Sequence, residues 1–524
     1  MIKIPFTIPK SFLPWLRRIG WMAVWLVTLF VLGTVIENWR GNRAWQAYQD
    51  EAKARGDRLD LETVIPPPVP DAENFASAPL FKPLYDFTRE GSPIGEVHWR
   101  DPEAKAALDQ IDPLGPTKQQ TNSQTKPQTW RHGHAMDLAA WQSFYRDRSD
   151  FPKNPQPQSA GEDILLALSK FDPFYSQLRE ACQRPQSRFP VRYEDNVSTR
   201  LPHLGVLRQL AKIASLRAVA ELSLQQNDRA FEDTGIALRL TESISTEPIL
   251  ISILVQIAMQ DLAMQPIWEG LTQHRWNEAQ LAELDTRLAK FNHARSMANG
   301  IRGERNLFTV PVMDILKSNP QILYSPKSDG NSEGNLGSLF PLMPSGWFQQ
   351  NKVTMCLMDD AMRQTIDPEA RRFFPDRAEQ MEKQMERLPR GWGHPYTCFA
   401  SYAQPALLNA EVRCAAQQGS IDLARIAIAL ERHRLKHEKY PPSLEALDAT
   451  CDPGGIPADC ATGRPPHYRC TDGETYSLYY EGWNQVDDGG KAVLKGSGNT
   501  IDLQQGDWVW FRAGELSKKP ASGN

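Results

Sequence analysis

One uninterrupted run of apolar residues dominates the hydrophobic pattern of the chain. Residues 19–36, IGWMAVWLVTLFVLGTVI, contain no charged side chain, and ten of these eighteen residues are Leu, Ile, Val or Phe. Near the centre of a bilayer those ten side chains favour insertion by roughly 3 to 6 kcal/mol. As a helix the run is ~27 Å long, close to the thickness of the hydrocarbon core. The pattern therefore predicts a transmembrane anchor at residues 19–37.

The charges around this run predict its orientation. Lys3, Lys10, Arg17 and Arg18 precede it, and residues 1–36 contain no acidic side chain. By the positive-inside rule the N-terminus is cytoplasmic and the bulk of the chain is extracytoplasmic, on a single-pass protein of the inner membrane. No small-x-small cleavage motif follows the run, which favours a retained signal-anchor over a cleaved signal peptide.

Helical periodicity is clearest in the middle of the chain. Leu207, Leu210, Ile213 and Ala214 follow steps of three and four residues, and similar segments fill residues 162–310. We expect this span to be almost wholly α-helical and antiparallel. The helix lengths and short turns loosely resemble tetratricopeptide repeat pairs, although no period of about 34 residues is evident.

The C-terminal part has a mixed pattern. Residues 411–437 carry an apolar stripe at helical spacing, whereas residues 466–470, 475–482 and 506–511 read as strands, the second with alternating Tyr and Leu. Each apolar surface is too large to face water, so the helix should pack on an antiparallel sheet of three strands.

The predicted fold class is mainly α with a small α+β module at the C-terminus. The segment that follows the anchor predicts a helix that leaves the bilayer and ends near Gly56, before the stiff spacer IPPPVP at residues 65–70. The predicted domains are 1–18 cytoplasmic, 19–37 anchor, 38–161 membrane-proximal helix with linker and loops, 162–400 helical array, 401–515 helix-plus-sheet module, and 516–524 disordered tail.

Net charge argues against nucleic-acid binding. The whole chain carries −4 and its first 36 residues carry +4, so the remainder carries −8. A nucleic-acid-binding protein needs a basic surface, and no basic cluster here is interleaved with aromatic residues. We expect a membrane contact through residues 19–37 and a protein partner, but no nucleic acid.

Three of the seven cysteines, Cys451, Cys460 and Cys470, lie within twenty residues of one another. In an oxidising compartment this cluster predicts a disulfide, of unassigned connectivity, that would stabilise a small module by about 2–4 kcal/mol. A zinc site is the alternative, but the spacings match no common zinc-binding motif.

One loop has the composition of a calcium site. Asp487 and Asp488 precede two glycines, with Asn484 and Glu481 upstream, and such hard oxygen ligands around a Gly-rich turn suit Ca²⁺. The alternative is an ordinary turn with solvated carboxylates. No other cofactor is expected.

The other candidate motifs are better explained as structural or solvent-exposed residues than as catalytic or metal sites. The sequence GNSEG at residues 330–334 matches the hydrolase elbow G-x-S-x-G but lacks the flanking strand and helix. His433 and His437 lie one helical turn apart among cationic side chains, which would repel a metal, and His132 and His134 lie beside a polar linker. Arg302, Glu304 and Arg305 suggest a buried ion-pair cluster that holds helices together.

The tail carries a family resemblance. The strings RIAIAL, YPPSLEAL, TGRPPHY, YSLYY and DDGG occur in that order between residues 425 and 490. As a set they resemble the globular head of a type II secretion major pseudopilin, over about 100 residues, and that resemblance implies calcium near Asp487. The chain as a whole resembles uncharacterised single-pass membrane proteins of bacteria. That resemblance points to no particular activity.

Two functions remain open from the sequence. In the first, the chain is an anchored extracytoplasmic binding or scaffolding protein, with a role related to secretion or the envelope. In the second, it is an extracytoplasmic enzyme whose site is assembled from scattered residues. A pocket with convergent carboxylates or histidines would favour the second.

Overall fold

A computed structural model of the full chain describes residues 13–89, 97–116, 129–318, 343–389, 394–400, 405–496 and 500–513. It divides into two compact units, each assembled from separate parts of the sequence. The first contains residues 1–63, 305–360 and 384–404, and the second contains residues 64–304, 361–383 and 405–524.

Most of the described residues are helical. The α-helices are α1 Leu13–Ala54, α2 Pro102–Asp109, α3 Leu138–Arg146, α4 Ala160–Leu168, α5 Asp172–Ala181, α6 Pro202–Ser223, α7 Asn227–Glu242, α8 Leu250–Thr272, α9 Glu278–Ala289, α10 His293–Gly303, α11 Val310–Ser318, α12 Ser345–Arg363, α13 Pro375–Glu386 and α14 Pro405–His437. Residues Glu304–Thr309 form a π-helix.

The strands are short and all of their pairings are antiparallel. They are β1 Phe87–Arg89, β2 Val97–Trp99, β3 Ile366–Asp367, β4 Arg372–Phe373, β5 His467–Cys470, β6 Tyr476–Tyr480, β7 Ala492–Leu494, β8 Ile501–Gly506 and β9 Trp508–Val509. Strands β5, β6 and β9 form a sheet in that order, and β1–β2, β3–β4 and β7–β8 pair separately.

Helix α1 matches the predicted anchor and its extension. Its apolar part is long and hydrophobic enough to cross a membrane, and no residue of that window is buried within the protein. The helix ends at Ala54, and Gly56 then adopts a positive φ of 74°, which a glycine does at no steric cost. Helix α8 is also long and apolar enough, but 61% of its window is buried, so it is a core helix.

The first unit packs the C-terminal half of α1 against α11 and α12. One apolar cluster joins Tyr48 and Ala52 of α1 to Cys356 of α12. The helices approach most closely at Gly41 and Gly346, where a Cβ on Gly346 would lie 1.9 Å from the carbonyl oxygen of Glu37. Any larger side chain at Gly346 would therefore force α1 and α12 apart.

The same unit contains a buried ion-pair cluster. Arg305, which is fully buried, donates to the carboxylates of both Asp57 and Asp360. Tyr48 and Arg55 also donate to Asp360. An ion-pair cluster is therefore buried around Arg305, but its anionic members are Asp57, just after α1, and Asp360 of α12 rather than the expected Glu304.

The second unit is built on buried helices. Helices α6, α7 and α8 pack on one another, and α14 packs against α8, α9 and α10. Glu304 accepts a hydrogen bond from the backbone N–H of Leu250 at the start of α8, and Gly303 lies so close to Pro248 that an added Cβ would overlap its carbonyl. No β-strand occurs within residues 162–310, all of which are described, as the periodicity predicts.

Strands β5, β6 and β9 lie within the three strand ranges predicted for the tail, and β6, β8 and β9 each contact α14. Leu478 and Tyr480 of β6 are buried, whereas Tyr479 between them is half-buried. The prediction of a mainly helical chain with small antiparallel sheets is thus confirmed.

The units differ from the predicted domain boundaries. Residues 162–400 were expected to form one array and residues 401–515 a separate module. Instead Trp268 of α8 donates from its indole nitrogen to the carbonyl of Phe511, and the rings of Trp130 and Trp510 lie 5.9 Å apart. These contacts place the tail within the second unit, whereas residues 305–360 belong to the first.

Candidate functional site

A cleft of about 560 Å³ opens in the second unit where the end of α8, the last turns of α14 and strand β6 meet. Its walls mix aromatic and charged side chains, which is the composition of most ligand sites. The lining residues are Leu271, Thr272, His274, Ala427, Glu431, Tyr440, Glu474, Thr475, Tyr476, Trp510, Phe511, Arg512 and Ala513.

His274 reaches the cleft from a left-handed turn that ends α8. Its φ is +54°, its N–H donates to Leu271, and the next N–H, that of Arg275, donates to Gly270. This is the Schellman arrangement, whose left-handed residue is usually a glycine. The left-handed conformation costs a residue with a Cβ roughly 1–2 kcal/mol, so His274 lowers the stability of the fold at this position.

Trp276 packs against α8 and holds this turn in place. Its indole ring lies against Gly270, where an added Cβ would lie 2.1 Å from the ring, and its Nε1 donates to the carbonyl of Ile267. Because Trp276 is almost fully buried, the turn that carries His274 is anchored to the core of the unit.

Glu431 of α14 forms the polar floor of the cleft. Its carboxylate bonds to Nδ1 of His274 at 2.8 Å, accepts from both Nε and Nη2 of Arg434, and accepts from the hydroxyl of Tyr440. Burial alone would raise the pKa of Glu431, but the hydrogen bonds from His274 and Arg434 outweigh it and lower the pKa. Glu431 is therefore an ionised carboxylate at neutral pH.

Aromatic side chains form the apolar wall. The rings of Tyr440 and Tyr476 meet edge to face with centroids 4.8 Å apart, and the cleft continues along Trp510 and Phe511. Tyr440 is held by Glu431, and the backbone of Phe511 is held by Trp268. The wall is thus ordered before any ligand arrives, which reduces the entropy lost on binding.

The chemistry available in the cleft follows from these contacts. Glu431 binds the Nδ1 side of His274, which leaves Nε2 to serve as a hydrogen-bond donor, an acceptor or a general base. Among the described lining residues there is no Ser, Cys or Lys, and the hydroxyls of Thr272 and Thr475 already donate to Trp268 and Asp472. The arrangement suits ligand binding better than covalent catalysis.

The predicted calcium ligands are only partly brought together. Asn484 donates through its amide nitrogen to Asp488, whereas Asp487 accepts from Tyr479 and from the N–H of Gly489. The turn is organised by Asp507, whose carboxylate accepts from the backbone N–H groups of three loop residues, Asp488, Gly490 and Lys491. In the described part of the chain no three acidic, His or Cys side chains form a metal-binding group. Calcium at this loop stays a prediction.

The expected disulfide is not formed in the structure, where all seven cysteines are free thiols. Cys460 is buried, and its thiol lies against the carbonyl of Ala415 on α14. Cys451 is buried in a loop, and its backbone carbonyl accepts a hydrogen bond from Arg432. Cys470 ends strand β5, opposite Tyr476. Each of the three cysteines is therefore held by a different element.

The remaining candidates from the sequence are two pairs of histidines and one serine motif. The rings of His433 and His437 lie 4.3 Å apart, with no acidic side chain completing a metal group among the described residues. His134 accepts from Gln265 through its backbone carbonyl and donates its N–H to the carbonyl of Thr129. The sequence GNSEG at residues 330–334 lies outside the described residues.

Sequence reasoning missed His274 and Glu431 because the two residues are 157 positions apart and match no motif. The sequence did contain one signal for His274. This histidine stands just after the apolar pattern of α8, at the position where a helix-ending glycine is usual. A buried histidine network, in which His203 bonds to Tyr85 and Glu247, is enclosed in the core rather than exposed in a cleft.

Comparison with protein-family models, with curated proteins and with solved structures finds no match for this chain.

Proposed function

We propose that this chain is a membrane-anchored binding protein whose cleft binds a segment of a protein partner. Helix α1 holds it in the bacterial inner membrane, with the N-terminus in the cytoplasm and the bulk of the chain after residue 37 outside. The helices of the second unit act as a scaffold that presents the cleft. The resemblance of the tail to a pseudopilin head supports a role in secretion or in the cell envelope.

The composition of the cleft is the observation that carries this proposal. Tyr, Trp and Arg are the residues most enriched where proteins bind one another, and Tyr440, Tyr476, Trp510 and Arg512 line this cleft. His274 and Arg512 can face a carboxylate, whereas Glu474 can face a cation. A peptide segment that carries both charges complements these groups.

A second candidate is a hydrolase in which His274 acts as a general base on water. The pairing of His274 with the buried carboxylate of Glu431 favours it, because such a carboxylate fixes the tautomer and orientation of the imidazole. The two functions differ in what is released, since a binding protein retains its ligand unchanged whereas a hydrolase releases cleaved products.

Co-purification from native membranes tests the proposal. Thr475→Trp should fill the cleft and Glu474→Lys should reverse the charge of an exposed lining residue, so both should reduce recovery of the bound partner at least tenfold. Glu180→Lys, an exposed residue of α5 outside the cleft, is the matched control and should leave recovery unchanged.

Three outcomes of the co-purification are decisive. The proposal is supported if one defined protein co-purifies with the parent chain and is lost with both cleft variants. Equal recovery with the cleft and control variants contradicts it. Recovery of the partner only as a cleaved product, with intact partner recovered from a His274→Ala variant, favours the hydrolase.

A further inference from the structure

A second groove in the same unit is rich in cationic side chains. It has a volume of about 740 Å³ and lies between the end of α5, the outer face of α7 and the end of α9. Its cationic lining residues are Arg179, Arg184, Arg239, Arg287 and Lys290. This groove shares no lining residue with the cleft of His274.

Two of these guanidinium groups are held in place by neutral partners. Arg239 donates to the backbone carbonyls of Arg184 and Gln186, and Arg184 donates to the carbonyls of Asp71 and Asn74. The nearest carboxylate to Arg239, that of Glu242, lies 3.9 Å away, beyond hydrogen-bond distance. Both side chains are thus held by carbonyl groups, and the long ion pair with Glu242 offsets the charge of Arg239 only in part.

The remaining cations enlarge the positive field. Arg287 donates to the carbonyl of Gly235, and an added Cβ there would lie 2.9 Å from its Nη1. Lys290 is exposed at the end of α9, and its ammonium makes no hydrogen bond to a described residue. Burial is the main factor that lowers the pKa of Arg239, and the like charge of Arg287 lowers it further.

Acidic residues offset only part of this charge. Glu232, Glu242 and Glu283 also line the groove, and Glu283 is already paired with Arg287. The lining therefore carries a net charge of about +2, on a chain that is acidic overall. Two excess positive charges in one concave surface favour a dianion.

We propose that this groove binds the phosphate group of a small-molecule ligand. Guanidinium groups converging from α7, α9 and the segment after α5 suit a tetrahedral phosphate, which accepts hydrogen bonds in several directions. A planar carboxylate would be served by a single arginine fork. The volume exceeds that of one phosphate, so the ligand carries a further group or a second phosphate.

The same phosphate chemistry occurs in free metabolites and in lipid headgroups. The experiment is a calorimetric titration of pyrophosphate into the full chain in nanodiscs of phosphatidylcholine. The competitors are glycerol phosphate and citrate, and a second titration in nanodiscs of phosphatidylglycerol separates the two sources. If the headgroup is the ligand, phosphatidylglycerol will weaken pyrophosphate binding.

Saturable binding to one site is expected, with competition by glycerol phosphate but not by citrate. Arg184→Gln should weaken binding at least tenfold and Lys290→Gln severalfold. Lys290 is exposed and supports no other element, so its variant should remain folded. Arg148→Gln, an exposed arginine paired with Asp150 outside the groove, is the matched control and should bind within twofold of the parent.

Three results would overturn the proposal: no saturable heat of binding, equal competition by citrate, or unchanged affinity in both Arg184→Gln and Lys290→Gln.

Discussion

Arg305 donates two parallel hydrogen bonds to the carboxylate of Asp57, with Nη1 2.7 Å from Oδ2 and Nη2 2.8 Å from Oδ1. The guanidinium is fully buried and Asp57 is nearly so. Because the pair joins the end of the anchor helix to a π-helix 248 positions away, it stabilises the fold of the first unit.

Breaking this pair should be costly. Asp57→Asn leaves a buried guanidinium short of one negative charge, and we expect the free energy of unfolding to fall by about 3 kcal/mol, the lower end of such costs because Asp360 remains. Asp60→Asn is the matched control, since Asp60 is 62% exposed and should contribute less than about 1 kcal/mol. Chemical denaturation of the full chain in detergent measures both, and equal losses would contradict a stabilising role of the buried pair.

The left-handed backbone at His274 should be strained, and a glycine substitution at an equivalent turn can measure that strain. Gln225 occupies the same position after α6, with φ +60° and the same two backbone hydrogen bonds. Gln225→Gly should raise the free energy of unfolding by about 1 kcal/mol, because glycine relieves the left-handed strain.

His274→Gly should yield a smaller gain or a loss, because it also removes the hydrogen bond to Glu431, worth about 1.5–3 kcal/mol for a charged partner. The difference between the two variants measures that bond. If both variants stabilise the protein equally, His274 and Glu431 do not interact in solution.

A buried carboxyl group predicts a pH dependence of stability. Glu411 of α14 accepts from Thr365, and burial raises its pKa to about 8. Between its unfolded pKa of 4.5 and about 8, the folded protein holds a proton that the unfolded chain has lost. Stability from this group is therefore complete below 4.5 and decreases as the pH rises towards 8.

Glu411→Gln should reduce that decrease, by up to about 2 kcal/mol between pH 5.5 and 7.5. The exposed Glu445→Gln should leave it unchanged. Thermal unfolding at several pH values measures the slope, and an identical slope in parent and Glu411→Gln protein would show that Glu411 is ionised in the fold.

The orientation of the anchor predicts the location of the C-terminus. With the four cationic residues before residue 19 in the cytoplasm, a phosphatase fused after Asn524 should be active, because that enzyme folds only outside the cytoplasm. A fluorescent reporter that matures only in the cytoplasm should be dark in the same position. The reverse pair of readouts would overturn the proposed topology.

The elements that the sequence predicted best are those with long local patterns. The apolar run before Glu37 and the stripes of α6, α8 and α14 predicted helices, because burial of one face repeats every three to four residues. The position of β6 followed from the alternation of Tyr and Leu, and β5 and β9 lie within the ranges predicted for them.

Assembly over long distances could not be predicted in the same way. The assignment of residues 305–360 to the first unit depends on Arg305 and on the contact of Gly41 with Gly346, which no local pattern encodes. The cleft likewise combines a helix end, a helix face and a strand, and its central pair, His274 and Glu431, becomes adjacent only when α8 and α14 pack.

Site-specific photocrosslinking tests the central claim, that the cleft binds a segment of a protein partner, most directly. A photoreactive amino acid placed at Thr475 or at Thr272, both exposed cleft residues, should crosslink in native membranes to one and the same peptide of one partner protein, identified by mass spectrometry. The same probe at Glu180 should not label that peptide. Crosslinks that are equal at all three positions, or that join the cleft only to lipid or to another copy of this chain, would contradict the proposed function.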